Sequence, residues 1–228
     1  MSYCLWCASE MITETTWSNL LSLSQPQKLC KTCKGKLQII TGNRCQKCSR
    51  ESKSKICTDC KYWGKLLKNN DPLEKNYSIY SYNEFMKEVI AKWKYRGDYV
   101  LVEIFQTEFI RHFNTYIKNQ MKEAIIIPIP LSKERLATRK FNQAQALTSF
   151  ITQDKINILE RVNSEKQAKK SRMERIQSEN PFNLLEPINK PVILVDDIYT
   201  TGTTLRHVAQ ILKDNGCPSV YGYTLIRG

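Results

Sequence analysis

The chain lacks the features that would send it into or through a membrane. No stretch of its 228 residues approaches the roughly 18 consecutive apolar residues of a membrane span. Its N-terminus, Met1-Ser2-Tyr3-Cys4-Leu5-Trp6-Cys7, has no basic start followed by an apolar stretch. A secretory leader is therefore not expected, and residence in the cytoplasm is. Two nucleotide-binding signatures are also missing. There is no G-x-x-x-x-G-K-[ST] run for a P-loop and no G-x-G-x-x-G for a dinucleotide fold. Acidic residues are in deficit. Against 35 Lys and Arg stand 22 Asp and Glu, for a net charge of +13. Such a surface attracts polyanions by releasing their counterions, and the attraction weakens with salt. Nucleic acid, acidic membrane and phosphorylated ligands are the expected partner classes. Hydrophobic residues, at 41%, are enough for one ordinary domain with a small module beside it.

Cysteine is abundant, but at one end only. Of nine cysteines, eight form C-x-x-C pairs within the first 60 residues: Cys4/Cys7, Cys30/Cys33, Cys45/Cys48 and Cys57/Cys60. A C-x-x-C turn spans one edge of a zinc tetrahedron, and two turns complete a Cys4 site. Disulfides do not persist in a reducing compartment. A redox C-x-x-C normally occurs once, at the opening of a helix. One or two Zn2+ sites are expected. Four sulfur ligands leave no open position for water, so the metal is structural rather than catalytic. It supplies folding energy that a short polar segment lacks. Sequential pairing (Cys4, Cys7, Cys30, Cys33, then Cys45, Cys48, Cys57, Cys60) is preferred, because the second four can close locally. The spacing permits alternating, cross-braced pairing as well. Lys28, Lys31, Lys34, Lys36, Arg44, Lys47, Arg50, Lys53, Lys55 and Lys61 surround these turns. Trp6, Trp17, Tyr62 and Trp63 offer faces on which single-strand bases stack, or else form the module's core. Cys217 stands apart and reads as a buried thiol.

Composition divides the chain into a Cys-rich zinc module at 1–63, a polar, turn-rich linker at 64–76 and a larger domain at 77–228. Residues 78–82 read as a short strand. Phe85, Met86, Val89, Ile90 and Trp93 follow at helical spacing. Leu101, Phe105, Phe109 and Phe113 repeat at i+4 as the stripe of another helix. Apolar runs at 124–130 and 191–195, with a last strand at 219–226, alternate with helical segments at 141–152 and 203–215. A further short strand is expected at 155–159. Fully buried runs in this order point to an α/β fold with a mostly parallel sheet flanked by helices.

Residues 192–204 read Val-Ile-Leu-Val-Asp-Asp-Ile-Tyr-Thr-Thr-Gly-Thr-Thr. A buried strand there ends in two acids, and ligands of open α/β sheets bind just beyond strand carboxyl ends. Asp196 and Asp197 can accept hydrogen bonds from the two adjacent hydroxyls of a ribose. Thr200, Thr201, Gly202, Thr203 and Thr204 then lead into a helix, whose N-terminus favours a phosphate, and Gly202 lets the backbone approach closely. Together they describe a site for a ribose-5-phosphate ligand. Two acids at a strand end can instead hold Mg2+ in a receiver-like site, but that leaves the threonine-rich turn unexplained.

These thirteen residues resemble the phosphoribosyl-pyrophosphate (PRPP) motif of type I phosphoribosyltransferases. The whole chain resembles the ComF/ComFC family of competence proteins. Further pieces agree: Ile127-Pro128-Ile129-Pro130-Leu131-Ser132 with Arg135, Arg139-Lys140-Phe141-Asn142-Gln143-Ala144, the spaced Arg161, Gln167, Arg175, Asn180 and Phe182, and Lys92-Trp93-Lys94-Tyr95-Arg96-Gly97-Asp98. Lys140 stands where the family has glycine. The resemblance implies a type I phosphoribosyltransferase-like sheet joined to a zinc module. It implies a role in natural transformation, on the inner face of the membrane, with single-stranded DNA and an ATP-dependent DNA translocase as partners. Ser132, Lys133, Arg135, Arg139 and Lys140 become candidates for pyrophosphate or DNA contact. So, for DNA, does the run Lys166, Lys169, Lys170, Arg172 and Arg175. Were the chain an active phosphoribosyltransferase, Asp196 and Asp197 would be its catalytic acids and Mg2+ would accompany PRPP. No C-terminal acceptor-reading hood is expected after the last strand at Gly228, and residues 77–123, which could serve instead, carry no base-reading signature. Three readings follow: a competence protein binding DNA and a PRPP-type ligand, an active phosphoribosyltransferase with an unknown acceptor, and an adaptor whose zinc module docks the translocase.

Overall fold

The computed structural model describes residues 2–11, 27–95, 98–119, 121–162 and 179–228. Trp17, Arg96, Gly97 and the basic run at 166–175 lie outside them.

The cysteine segment is built twice on one plan. Strands β1 (Ser2–Tyr3) and β2 (Glu10–Met11) flank the turn Cys4–Cys7, with Tyr3 opposite Glu10. The turn Cys45–Cys48 is flanked in the same register by a bridge from Arg44 to Glu51. Ala8 and Ser49 follow the two turns with φ of 57° and 61°. The second pair of each set opens a helix. Cys30 caps α1 (Lys31–Gly35) and Cys57 caps α2 (Thr58–Leu66).

The central sheet has four parallel strands in the order β3-β8-β7-β4: β3 is Lys75–Ser81, β4 Ile125–Pro128, β7 Val192–Tyr199 and β8 Val220–Arg227. The helices are α3 (Glu84–Tyr95), α4 (Gln106–Phe113), α5 (Lys133–Arg139), α6 (Gln143–Thr148) and α7 (Thr203–Asp214). A small antiparallel pair, β5 (Leu159–Arg161) with β6 (Phe182–Leu184), stands apart from the sheet. The parallel, helix-flanked architecture is the expected one. Three details differ. The expected strand at 155–159 contributes a single bridge from Lys155 to Ile126, and pairing resumes only at β5. The i+4 stripe is buried throughout, but residues Tyr99–Ile104 wind as a 3-10 helix before α4. Strand β7 does not stop at Val195; it runs on through both acids to Tyr199.

Alternate side chains of a strand face opposite ways, and this gives two cores. Ile193 and Val195 pack with Met86, Trp93, Phe105 and Phe109, a cluster that includes Cys4 and Cys33. Val192 and Leu194 pack with Leu205, Val208 and Leu212 of α7, a cluster that includes Cys45, Cys48, Cys57 and Cys60. The cysteine segment thus straddles the sheet at its β3 side. It also pairs with the outer edge of β3. Ile40 N–H donates to Ile79 O, Ser81 N–H to Gln38 O and Asn76 N–H to Lys47 O, at 2.7–2.9 Å. Residues 64–76 return along α7 and the sheet: Leu73 is buried and Glu74 N–H donates to Val220 O at 2.9 Å.

Candidate functional site

The eight paired cysteines form two groups: Cys4, Cys7, Cys30 and Cys33, and Cys45, Cys48, Cys57 and Cys60. Within each, all four Sγ atoms lie within 4.8 Å of one another. The grouping is sequential, and the alternating scheme is excluded. A tetrahedral zinc with Zn–S near 2.3 Å needs sulfurs roughly 3.8 Å apart. Cys7 and Cys30 Sγ are 3.8 Å apart, and Cys48 and Cys57 Sγ 3.6 Å. Backbone amides support the thiolates: Cys33 N–H points to Cys30 Sγ at 3.4 Å and Cys57 N–H to Cys45 Sγ at 3.3 Å. Both groups therefore suit a closed four-sulfur metal site. Their settings differ. Cys7 is exposed, and hydrogen bonds from Ser9 lower its pKa to about 6. All four cysteines of the second group are buried. There, hydrogen bonds from Cys48 and Cys60 hold Cys45 far below the usual thiol range, and the same sharing pushes Cys48 up to about 11.

Of the aromatic residues near these turns, Trp63 is buried. Trp6 packs edge-on against Phe85 under Lys92, and Tyr62 is exposed. Lys31, Lys34, Lys36, Lys53, Lys55 and Lys61 are exposed. Lys28 pairs with Glu103, Lys47 bonds to Glu74 O and Arg50 pairs with Asp59. Cys217 is buried.

A cavity of about 330 Å³ opens beyond the carboxyl ends of β4 and β7. That volume lies within the range of small-molecule sites. Asp196, Asp197, Thr200, Thr201, Thr203 and Thr204 line it, with Arg135, Arg139 and Arg161. Two adjacent strand residues would ordinarily face opposite ways. Here the parity of the strand reverses across the acids: Ile198 packs with the core of Ile193, and Tyr199 with the core of Val192. Asp197 N–H meanwhile turns to Asp196 Oδ1 at 2.8 Å. Both carboxylates consequently share one cavity. Burial, and next the charge of Asp197, raise Asp196 to about 8. Burial pushes Asp197 the same way, but Lys94 at the end of α3 pairs with it and the net shift is downward. The two carboxyls are thus driven apart, Asp196 upward and Asp197 downward.

Gly202, at φ 81°, forms the turn into α7. A Cβ there would collide with the Tyr199 hydroxyl and the Arg206 guanidinium. Thr201 Oγ1 lies 2.8 Å from Thr203 Oγ1 and accepts from Thr203 N–H at 3.3 Å. Helix periodicity sorts the basic residues after β4. Arg135 and Arg139 stand four apart, on one face of α5, and both reach the cavity. Lys133 points to solvent and pairs with Glu160. Ser132 caps α5, and Lys140 ends it in the left-handed conformation at φ 66°. None of these last three lines the cavity, and neither does Gly202 itself. Two lining residues, Lys94 and Arg161, carried no assigned role from the sequence. Arg161 lies over the Phe182 ring at 5.2 Å. Burial, then the charges of Arg135 and Arg139, lower its pKa, the mark of cations crowded together.

Residues 154–228 match the family described as phosphoribosyl transferase domain. The chain is 39% identical to "Competence protein ComFC" of Bacillus subtilis (strain 168), over 98% of this chain and 94% of that protein. It is 31% identical to "Competence protein ComFC" of Streptococcus pneumoniae (strain ATCC BAA-255 / R6), over 98% and 99%. It is 25% identical to "DNA utilization protein YhgH" of Escherichia coli O157:H7, over 87% and 96%.

Proposed function

The chain belongs to the ComFC family of competence proteins, and from that premise we propose that it handles single-stranded DNA on the cytoplasmic side during natural transformation while holding a PRPP-type ribose-5-phosphate ligand. One observation carries the ligand reading. Two acids, a threonine loop at a helix N-terminus and three arginines line one cavity. PRPP presents a vicinal diol, a 5-phosphate and a pyrophosphate. Asp196 and Asp197 suit the diol, Thr200–Thr204 suit the 5-phosphate, and the mutual repulsion of Arg135, Arg139 and Arg161 is relieved by a multiply charged anion. Lys133 and Lys140, outside the cavity, join the exposed lysines of the cysteine segment as phosphate-backbone contacts that position DNA without reading its sequence. The two cysteine groups hold structural zinc.

The test is the double variant Asp196→Ala with Asp197→Ala. Both PRPP binding by calorimetry and transformation frequency are expected to fall to background. Retained PRPP binding would refute the site. The DNA half predicts a steep salt dependence of single-strand affinity, flattened when Lys133, Arg135, Arg139 and Lys140 are neutralised.

The arginine cluster also favours a second reading, transfer of the phosphoribosyl group from PRPP to an acceptor. Mg2+ would then accompany the pyrophosphate, Arg135, Arg139 and Arg161 would orient it, and Asp197 would steady positive charge at C1. Pyrophosphate release dependent on Asp196 and Asp197 is its signature. The absence of release across a broad acceptor panel would sink it.

A further inference from the structure

The threonine loop is held from behind by side chains anchored beside the buried cysteine group. Three successive carbonyls of the loop are involved. Arg227 Nη1 donates to Tyr199 O at 3.1 Å and to Thr200 O at 2.9 Å. Trp63 Nε1 donates to Thr201 O at 2.8 Å. Each donor is also fixed to the cysteine group. Trp63 stands three residues after Cys60 on α2. Arg227 Nη2 lies 3.6 Å from Cys48 Sγ and 3.7 Å from Asp59, which sits between Cys57 and Cys60. Arg206 completes the brace. Its guanidinium lies over the Trp63 ring at 4.4 Å, donates to Tyr199 Oη at 2.8 Å and makes a two-pronged pair with Asp71 at 3.1 and 2.8 Å. Trp63, Arg206 and Arg227 are all buried.

The consequence follows from peptide geometry. In a planar trans peptide the C=O and the next N–H point opposite ways. Fixing the carbonyls of Tyr199, Thr200 and Thr201 on the side of the cysteine group therefore fixes the N–H groups of Thr200, Thr201 and Gly202 on the other side. Backbone N–H groups so aimed are what an anion at such a turn requires.

We propose that Trp63 and Arg227 are positioning residues for the threonine loop, through which the buried four-cysteine group sets the loop's readiness for a phosphate. The inference deepens the ligand reading and rests on it for the affinity it predicts. Its structural half, the coupling between cysteine group and loop, stands without a ligand.

Two readouts on the full chain test it. Trp63→Phe keeps an aromatic ring over which Arg206 can lie but removes the N–H. Amide hydrogen exchange in residues 199–206 is expected to rise about tenfold in this variant, the equivalent of one ordinary hydrogen bond. Ribose-5-phosphate affinity, measured by calorimetry, is expected to weaken about tenfold, with zinc content unchanged. Cys7→Ser, in the other cysteine group, is expected to leave exchange at 199–206 as in the parent chain. Arg227→Lys, which keeps the charge but has one nitrogen and cannot reach the loop carbonyls and the Cys48–Asp59 side together, should repeat the loop effect and decides the matter if Trp63→Phe does not fold. Unchanged exchange in the loop would overturn the proposal. So would a rise spread evenly over β7, α7 and β8 with a lowered melting temperature, since that is the behaviour of ordinary core. If the parent chain binds neither ribose-5-phosphate nor PRPP, the ligand reading fails, while the exchange data still decide the coupling.

Discussion

The two four-cysteine groups share a ligand pattern, a turn followed by a residue at positive φ, and a helix capped by the third cysteine, yet the sheet separates them into different roles. The first sits against α3 through Trp6, with Cys7 exposed. The second is wholly buried, belongs to the core of α7 and is joined through Trp63 to the loop that leads into the cavity. One local design thus serves as an outer clasp in one place and as an internal strut in the other. What differs is what surrounds the sulfurs.

The largest expected effect separates the groups directly. Cys48→Ser should lose one zinc per chain and lower the melting temperature by more than about 10 °C, because structural zinc sites contribute roughly 10–16 kcal/mol. Cys7→Ser, at an exposed corner, should shift it by only a few degrees. Equal losses in thermal melts read alongside metal analysis would break the comparison. Next come the charge pairs on the two sides. Asp71→Asn strands the buried Arg206 and should cost about 3 kcal/mol by denaturant unfolding. Glu103→Gln removes a half-exposed partner of Lys28 and should cost under about 1 kcal/mol. The last expected effect is a pH slope rather than a fixed loss, and it concerns the cavity acids. Asp196 is raised to about 8 in the folded chain, against roughly 4 when unfolded. Between these values the unfolded chain has released a proton that the folded chain keeps. Stability contributed here is thus lost as pH rises from about 4 to about 8, by at most about 1.4 kcal/mol per unit. Asp196→Asn should flatten that slope in unfolding curves taken at pH 5.5 and 7.5. An unchanged slope would mean that Asp196 is ionised throughout.

Much of this architecture was legible in the sequence because it rests on local signals. Apolar runs such as Val192–Val195 mark buried parallel strands, and the acids with the threonine loop adjoin in the chain. Spacing alone did not settle how the C-x-x-C pairs combine, since that depends on how the chain wraps the β3 edge. The braces were invisible for a related reason. Trp63 meets Thr201 across 138 residues and Arg227 meets Cys48 across 179, and no periodicity encodes such contacts. The sorting of Arg135 and Arg139 from Lys133 was within reach. It needed only the recognition of Ser132 as a helix cap, after which the four-residue spacing chooses the face.

The pairing of the cysteine segment with β3 has a consequence for the life of the newly made chain. A sheet edge with open N–H and C=O groups is a template for other chains. Here the outer edge of β3 is covered by Gln38, Ile40 and Lys47, and the segment that carries them is shaped by thiolates rather than by an apolar core of its own. On the proposal that these groups hold zinc, its loss or oxidation of the thiols is expected to loosen this cover before the sheet. Self-association of copies through the uncovered edge is the expected outcome in zinc-poor medium, with light scattering as the check.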